Sequence, residues 1–421
     1  MNSRQRIHAA LNHQPVDRVP VDLGSCGQTG ISASTLYKLR AALGLKQHPI
    51  KIIEPFQMLG EVEDDLLQLL GCDVIGLWNR GTMFGYENAD FKPWKMPDGT
   101  PVLMAGGFEY DIDPRTGDYM VYPCGDRTAA YSVRMTKNGS FFDNIVRTEG
   151  FDEDHLTPVE DFKDDFAVVN DETARYWEKE SKRLYEETDY AIMGVLGGGA
   201  LGDVAVIPGP ALKKPRGIRS ISDWLMAHAA FPEYIEEVFH MQTEIMIKNM
   251  EIYRQAVGDR ISVIWISGTD FGTQNSTFLS PEIFRKLYKP YYKKMNDWVH
   301  KNTSWKTFYH TCGSIVALLD DLAEMGVDWV HPVQLSAAGM DGKMLKEKHG
   351  DKFVFWGGGV DTQHTLPFGT PEEVREQVGE RIELFNKNGG YVFNTIHNIV
   401  SNVPVENIIA MYETATGRKL V

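Results

Sequence analysis

The tripeptide His310-Thr311-Cys312 carries two side chains that bind soft metal ions. It follows an apolar run, Trp305 to Tyr309, that has the composition of a β-strand. Residues two apart on a strand point to the same face, so the imidazole and the thiol project together from one strand end. The pattern therefore predicts part of a metal site. The alternative is a core histidine beside a buried free thiol, and both are common in proteins.

The elements that would position this pair are short apolar runs that alternate with segments of helical periodicity. Eight such strand–helix alternations predict a (β/α)₈ TIM barrel, and an open doubly wound sheet is the alternative. One helix is predicted to start at Pro371, with Thr370 as its N-cap. The predicted strands are Val19–Leu23, Asp73–Leu77, Tyr190–Leu196, Ile261–Ile266, Trp305–Tyr309, Val327–His331, Phe353–Trp356 and Tyr391–Phe393.

About residues 85–150 interrupt this alternation. The segment carries turn signals, such as Pro97-Asp98-Gly99 and Lys137-Asn138-Gly139, between short aromatic and β-branched runs. We interpret it as a hairpin-rich insertion after the second strand. Residues 1–421 are otherwise expected to form a single barrel domain.

In a (β/α)₈ enzyme the chemistry lies at the carboxyl ends of the strands. Polar residues follow five successive apolar runs there. Five such positions in order indicate a functional site more strongly than any single one does. Asp270 and Gln274 are the candidate catalytic residues. The candidate metal ligands are His310, Cys312 and His397, and the candidate substrate contacts are Asn275, Gln334 and Asp361. Asp361 could equally cap a turn, and Asp270 could form an Asx turn.

A glycine-rich stretch follows the third strand and includes Gly197, Gly198 and Gly199. It lacks the Lys-Ser/Thr of a phosphate-binding loop. We interpret it as a loop that lets the backbone approach a bulky cofactor, and a plain flexible loop is the alternative.

The composition excludes several classes of function. The formal net charge is -15, which disfavours binding to nucleic acid or to an anionic membrane. Four Cys in 421 residues do not make a disulfide framework, so a cytoplasmic setting is expected. The sequence has no apolar run of membrane-spanning length and no signal-peptide core, so no membrane association is expected.

Several segments, spread over nearly the whole chain, resemble the uroporphyrinogen decarboxylase superfamily. The resemblance implies a TIM barrel and two candidate branches, the true decarboxylases and the corrinoid-dependent methyltransferases. The segments that carry it are Ala10–Pro20, Asp270–Asn275, Ser280–Phe284, His310–Ser314, Gly357–Asp361, His397–Ile399 and Val403–Asn407.

Two features place the chain nearer the methyltransferase branch. Decarboxylases carry an Arg-rich segment after the first strand to bind a polycarboxylate, but Val21–Gly30 contains no Arg. His310 and Cys312 match the His-x-Cys metal motif of the methyltransferases. The third position departs from that pattern, because His397 stands where the methyltransferases have Cys and decarboxylases have His.

The resemblance therefore implies a zinc-dependent methyltransferase that exchanges a methyl group between a small methylated donor and a corrinoid (cobalamin) on a partner protein. The sequence does not distinguish among four classes of donor: methanol, methylamines, methylthiols and methoxylated aromatics. A homodimer is one candidate for the oligomeric state. The alternatives are a decarboxylase-like lyase acting on a carboxylated ring and a non-catalytic tetrapyrrole-binding barrel.

Overall fold

A computed structural model describes residues 1–148 and 150–420. The strands are numbered along the chain and fall into one parallel and two smaller sheets. They are β1 (Ile50–Glu54), β2 (Leu59–Gly60), β3 (Val74–Leu77), β4 (Lys92–Lys95), β5 (Pro101–Met104), β6 (Tyr110–Ile112), β7 (Tyr119–Val121), β8 (Val133–Met135), β9 (Asp143–Asn144), β10 (Ala191–Val195), β11 (Val263–Ser267), β12 (Lys306–His310), β13 (Trp329–His331), β14 (Val354–Trp356) and β15 (Tyr391–Val392).

The α-helices flank and connect these strands. One of them starts as the sequence predicts, because Thr370 caps the helix and Pro371 is its first residue. The helices are α1 (Ser3–Leu11), α2 (Ala33–Ala42), α3 (Asp64–Leu70), α4 (Pro158–Phe162), α5 (Asp171–Glu187), α6 (Ile221–Ala230), α7 (Pro232–Val257), α8 (Pro281–Leu287), α9 (Lys289–Asn302), α10 (Leu319–Glu324), α11 (Gly342–His349), α12 (Thr365–Phe368), α13 (Pro371–Phe385) and α14 (Val405–Thr416).

The parallel sheet confirms the predicted fold class. Its strand order is β15-β14-β13-β12-β11-β10-β3, so consecutive strands along the chain lie side by side. The first predicted strand forms only a bridge, in which Val21 pairs in parallel with Phe393 beyond β15. The other edge of this first predicted strand meets β3, because the backbone N–H of Asp73 donates to the Val21 carbonyl at 2.7 Å. These bonds close the curled sheet into a barrel.

The barrel interior is filled by side chains that alternate along each strand with those facing the helices. Phe308, Trp329 and Trp356 form its aromatic layer, with the Trp329 and Trp356 rings 4.5 Å apart. Strands that are buried on both faces have nearly continuous apolar sequences, which is why the sequence analysis predicted their positions. Ile7, Ala10 and Leu11 of α1 pack into the same cluster and cover one end of the barrel.

A group of charges ties the amino-terminal segment to the closure of the sheet. The carboxylate of Asp73, which is fully buried, accepts hydrogen bonds from Arg6 Nη1 at 2.6 Å and from Arg18 Nη1 at 2.7 Å. It also accepts the backbone N–H of Val21 at 2.9 Å. Burial is tolerated here because the charge is paired and its oxygens are hydrogen-bonded.

The smaller sheets lie largely within the segment that was expected to be an insertion. β6 to β9 form an antiparallel four-stranded sheet, and β4 and β5 form a hairpin. The sequence analysis did not identify β1 and β2, which precede β3. They join the hairpin of β4 and β5 in a sheet of order β2-β1-β5-β4. Thus strands that precede β3 in the sequence and strands that follow it share one sheet. The domain bounds stay a proposal.

Candidate metal centre

The candidate centre begins at the end of β12. His310 is the last residue of the strand and lies two residues beyond Phe308, so its imidazole continues the inward-facing row of the barrel interior. It is 3% exposed. Cys312 follows in the loop, and His397 comes from the loop after β15. The barrel therefore brings together residues that are far apart in the sequence.

These three side chains converge as the sequence predicts. One candidate ligand atom from each of His310, Cys312 and His397 lies within 4.8 Å of the other two. Cys312 Sγ is 3.3 Å from His310 Nε2, and the ring centroids of His310 and His397 are 5.1 Å apart. Two imidazoles and a thiol around one point are a donor set of the kind that catalytic zinc uses when a fourth position stays open.

The electrostatics of the centre suit a cation. Burial lowers the pKa of His310 well below its ordinary value, and the nearby His331 and His397 lower it further. Burial also lowers the pKa of His397. Neutral imidazoles are the form that binds metal. Burial raises the pKa of the Cys312 thiol, with Asp270 adding to the effect, so a thiolate there needs a nearby positive charge. A divalent ion would supply that charge.

Asp270 and Gln334 hold the loop that carries Cys312. Asp270 Oδ1 accepts the backbone N–H of Cys312 at 2.7 Å and lies 3.5 Å from His310 Nε2. Gln334 Oε1 accepts the backbone N–H of Gly313 at 2.7 Å. Gly313 has φ of +87°, and a Cβ there would lie 2.4 Å from the backbone carbon of Gly272. The glycine after the His-x-Cys pair is therefore required by close backbone packing.

Three other predicted residues lie away from the metal centre. Gln274 and Asn275 are exposed in a loop. Asp361 accepts the backbone N–H groups of Gln363 and His364 and so stabilises its own turn. None of these three lines the cavity described next. Their catalytic and substrate-binding roles stay predictions, and the proposal below does not use them.

A cavity of about 650 Å³ opens above the centre. His310, His397 and Asp270 contribute to its lining, and none of the described residues that line it is Lys or Arg. Asp203 also lines it, and burial raises the pKa of its carboxyl to about 7. The apolar part of the wall combines aliphatic side chains with five aromatic rings, which belong to Phe56, Phe141, Phe142, Phe166 and Trp265.

The glycines of the predicted loop have two different positions. Gly197 and Gly198 line the cavity with φ of +79° and +84°. Gly199 instead packs against β11, because a Cβ there would lie 2.3 Å from the carbonyl oxygen of Ile266. Gln242 Nε2 donates to the Gly198 carbonyl at 2.9 Å and fixes the loop. Their predicted role in cofactor binding stays a prediction.

Sequence reasoning missed three residues of this region. Trp265 and Gln242 line the cavity from within a strand and a helix, where their types carry no functional signal. His331 ends β13 beside His310. Its position at a strand end could have identified it, but it completed an apolar run and resembled a core residue.

The chain is similar to a known protein family over part of its length. Residues 213–417 match the uroporphyrinogen decarboxylase (URO-D) family. The matched segment contains Asp270, His310, Cys312 and His397, whereas β1 to β10 precede it.

The fold also has a relative among solved structures. A structure described as a methyltransferase from Methanosarcina mazei aligns with a TM-score of 0.55 at 19% sequence identity, covering 99% of this chain and 99% of that chain. At this identity the likeness concerns the fold. No curated protein sequence matches the chain. No helix among the described residues combines the length and hydropathy that a bilayer span requires.

Proposed function

We propose that the protein is a zinc-dependent methyltransferase that moves a methyl group between a small methylated donor and a protein-bound corrinoid. The observation that carries the proposal is the convergence of His310, Cys312 and His397 on one point, with both histidines lining the cavity. The match to the URO-D family and the solved methyltransferase of similar fold support the enzyme class. The corrinoid, the zinc and the donor belong to the proposal.

His310, Cys312 and His397 would hold the ion. When bound, zinc would supply Lewis acidity toward a donor oxygen, or would stabilise a thiolate if the acceptor is a thiol. Asp270 keeps the Cys312 backbone in place, and the apolar part of the wall would limit water around the reacting groups once a partner covers the cavity.

We further propose that the partner corrinoid protein docks over the cavity mouth. Phe141, Val206 and Val400 line the cavity and are 53%, 39% and 42% exposed. Exposed apolar side chains around a cavity suit a protein partner that covers it. A corrinoid presented from above would face the metal centre across the cavity.

The alternative is a decarboxylase-like lyase, which the description of the matching family favours. A substrate with several carboxylates needs cationic partners, and the described cavity wall offers none from Lys or Arg. The wall instead carries carboxylates such as Asp203 and Asp270. This charge pattern disfavours a polycarboxylate. A non-catalytic tetrapyrrole-binding barrel is the third candidate.

Metal analysis tests the ligand set. Purified protein should contain about one zinc per chain, and His310→Ala and Cys312→Ala should lose it, since each removes one of three protein ligands. Cys72→Ala is a matched control, because Cys72 is a buried thiol outside the centre and should keep full zinc content. Full zinc retention in both ligand variants would disprove the site.

Methyl transfer tests the reaction. The protein is mixed with reduced cob(I)alamin and each of the four donor classes, and formation of methylcobalamin is followed by absorbance. Turnover with one class, lost in Cys312→Ala and kept in Cys72→Ala, is the expected result. Carbon dioxide release from a carboxylated porphyrinogen without methyl transfer would support the lyase. Absence of both reactions would support the binding protein.

A further inference from the structure

A second histidine lies against the candidate ligand His310. His331 is the last residue of β13 and pairs in register with His310 on the neighbouring strand β12. Its side chain is fully buried, and its Nδ1 lies 2.7 Å from Nδ1 of His310. Two buried imidazoles thus form a hydrogen bond at the floor of the metal centre.

That hydrogen bond can be made in only two ways. One Nδ1 must carry the proton and the other must offer its lone pair. Both rings are buried, and a neutral imidazole carries one proton. Fixing the donor therefore fixes the tautomer of both histidines.

Only one of the two arrangements suits a metal ligand. His310 Nε2 faces Cys312 Sγ at 3.3 Å, so it is the nitrogen that must present a lone pair to the ion. The His310 proton then sits on Nδ1 and is donated to His331 Nδ1. In the opposite arrangement His310 Nε2 carries the proton and cannot bind a metal.

The surroundings hold the His331 ring in place. It packs on Phe308, with ring centroids 5.3 Å apart. Gly357 has φ of +88°, and a Cβ there would lie 3.1 Å from His331 Cδ2, so the Gly-Gly-Gly loop after β14 closes over the ring. His331 Nε2 has no hydrogen-bond partner among the described residues.

We propose that His331 is a positioning residue that accepts the His310 Nδ1–H and so holds His310 in its metal-binding tautomer. The proposal rests on the metal centre of the proposed function. Residues that accept the second N–H of a ligating histidine typically contribute about 10- to 100-fold in metal affinity. Here a neutral imidazole takes the place of the usual carboxylate or carbonyl.

Zinc affinity, measured by competition with a chromogenic chelator, tests the assignment. His331→Phe fills the space but removes the acceptor, and should weaken zinc binding by about 10- to 100-fold. His331→Asn can place an amide oxygen near the position of Nδ1 and should restore most of the affinity. His228→Phe is the matched control, because His228 is a buried histidine bonded to Trp224 and Tyr288, outside the centre.

The outcomes separate the two proposals. Zinc affinity of His331→Phe within about twofold of the unmodified protein would overturn the role of His331 and leave the metal site standing. An unmodified protein that binds no zinc would overturn the proposed metal site together with this inference. A loss in His228→Phe equal to that in His331→Phe would show a general effect of packing and would also overturn it.

A measurement on the unmodified protein covers the case in which His331→Phe fails to fold. Long-range ¹H–¹⁵N correlation of the zinc-loaded protein reports the tautomer of each histidine, and His331→Asn identifies the signal of His331. His331 protonated at Nε2 with His310 protonated at Nδ1 is the expected result. His331 protonated at Nδ1 would refute the proposal.

Discussion

The buried carboxylate of Asp73 gives the sharpest test of how the barrel is held closed. Asp73→Asn keeps the side-chain volume but removes the charge that Arg6 and Arg18 share. The change weakens or breaks the contacts to Arg6 Nη1 at 2.6 Å and Arg18 Nη1 at 2.7 Å and leaves two mostly buried guanidiniums near each other. Removal of one partner from a buried ion pair costs about 3–5 kcal/mol.

The lower end of that range is expected for this substitution. Arg6 keeps a second carboxylate, because its Nε donates to Asp17 at 2.7 Å, and Arg18 is 19% exposed to water. An entropy of unfolding of about 2.1 cal/mol/K per residue gives about 0.9 kcal/mol/K for 421 residues. A loss of about 3 kcal/mol then lowers the melting temperature by roughly 3 °C.

Urea unfolding, followed by tryptophan fluorescence and by far-ultraviolet circular dichroism, measures the free energy directly where the two transitions coincide. Asp297→Asn is the control, since it removes an exposed pair with Lys293 and should cost less than about 0.5 kcal/mol. A loss below about 1 kcal/mol in Asp73→Asn, with unchanged slope, would refute the view that this charge group stabilises the closure.

Two further substitutions test the burial of other groups. Burial raises the pKa of Asp22 to about 7, although Ser25 and Trp356 donate to its carboxyl. The unfolded state therefore releases this proton first, so stability should fall as pH rises from about 4 to about 7, and Asp22→Asn should flatten that fall in urea titrations. An unchanged pH profile would contradict the assignment. Gly199→Ala should cost about 1–3 kcal/mol, because its Cβ meets the Ile266 carbonyl at 2.3 Å. Gly81→Ala is its control, since Gly81, like Gly199, is not at positive φ, and a Cβ there meets nothing within 4 Å. Equal losses in the two variants would contradict the packing argument.

The barrel was predictable because its strands are buried on both faces. Trp329–His331, for example, lies within the predicted run Val327–His331. β1 was missed because its role depends on pairing with β5, where Ile50 lies beside Val102. A contact between segments about fifty residues apart leaves no periodic signal in either segment.

The convergence of the candidate ligands was predictable to the extent that they lie at strand ends. His310 and Cys312 follow a strand directly, so their common direction follows from strand geometry. Gln274 and Asn275 lie in a loop whose path is set by the bridge between Gly272 and Thr277. Such a path depends on tertiary contacts, and a sequence pattern cannot give it. The bond from His331 to His310 likewise requires the register of two strands.

The closure through Val21 and Phe393 has a consequence for biosynthesis. The Asn394 side chain donates to the Asp22 carbonyl across a separation of 372 residues. During translation, the backbone groups of residues 20–22 that bond to Phe393 have no partner until Phe393 has left the ribosome. The nascent chain therefore carries an open sheet edge until then, and such edges invite association with other chains. Contacts between residues so far apart in the sequence favour slow folding.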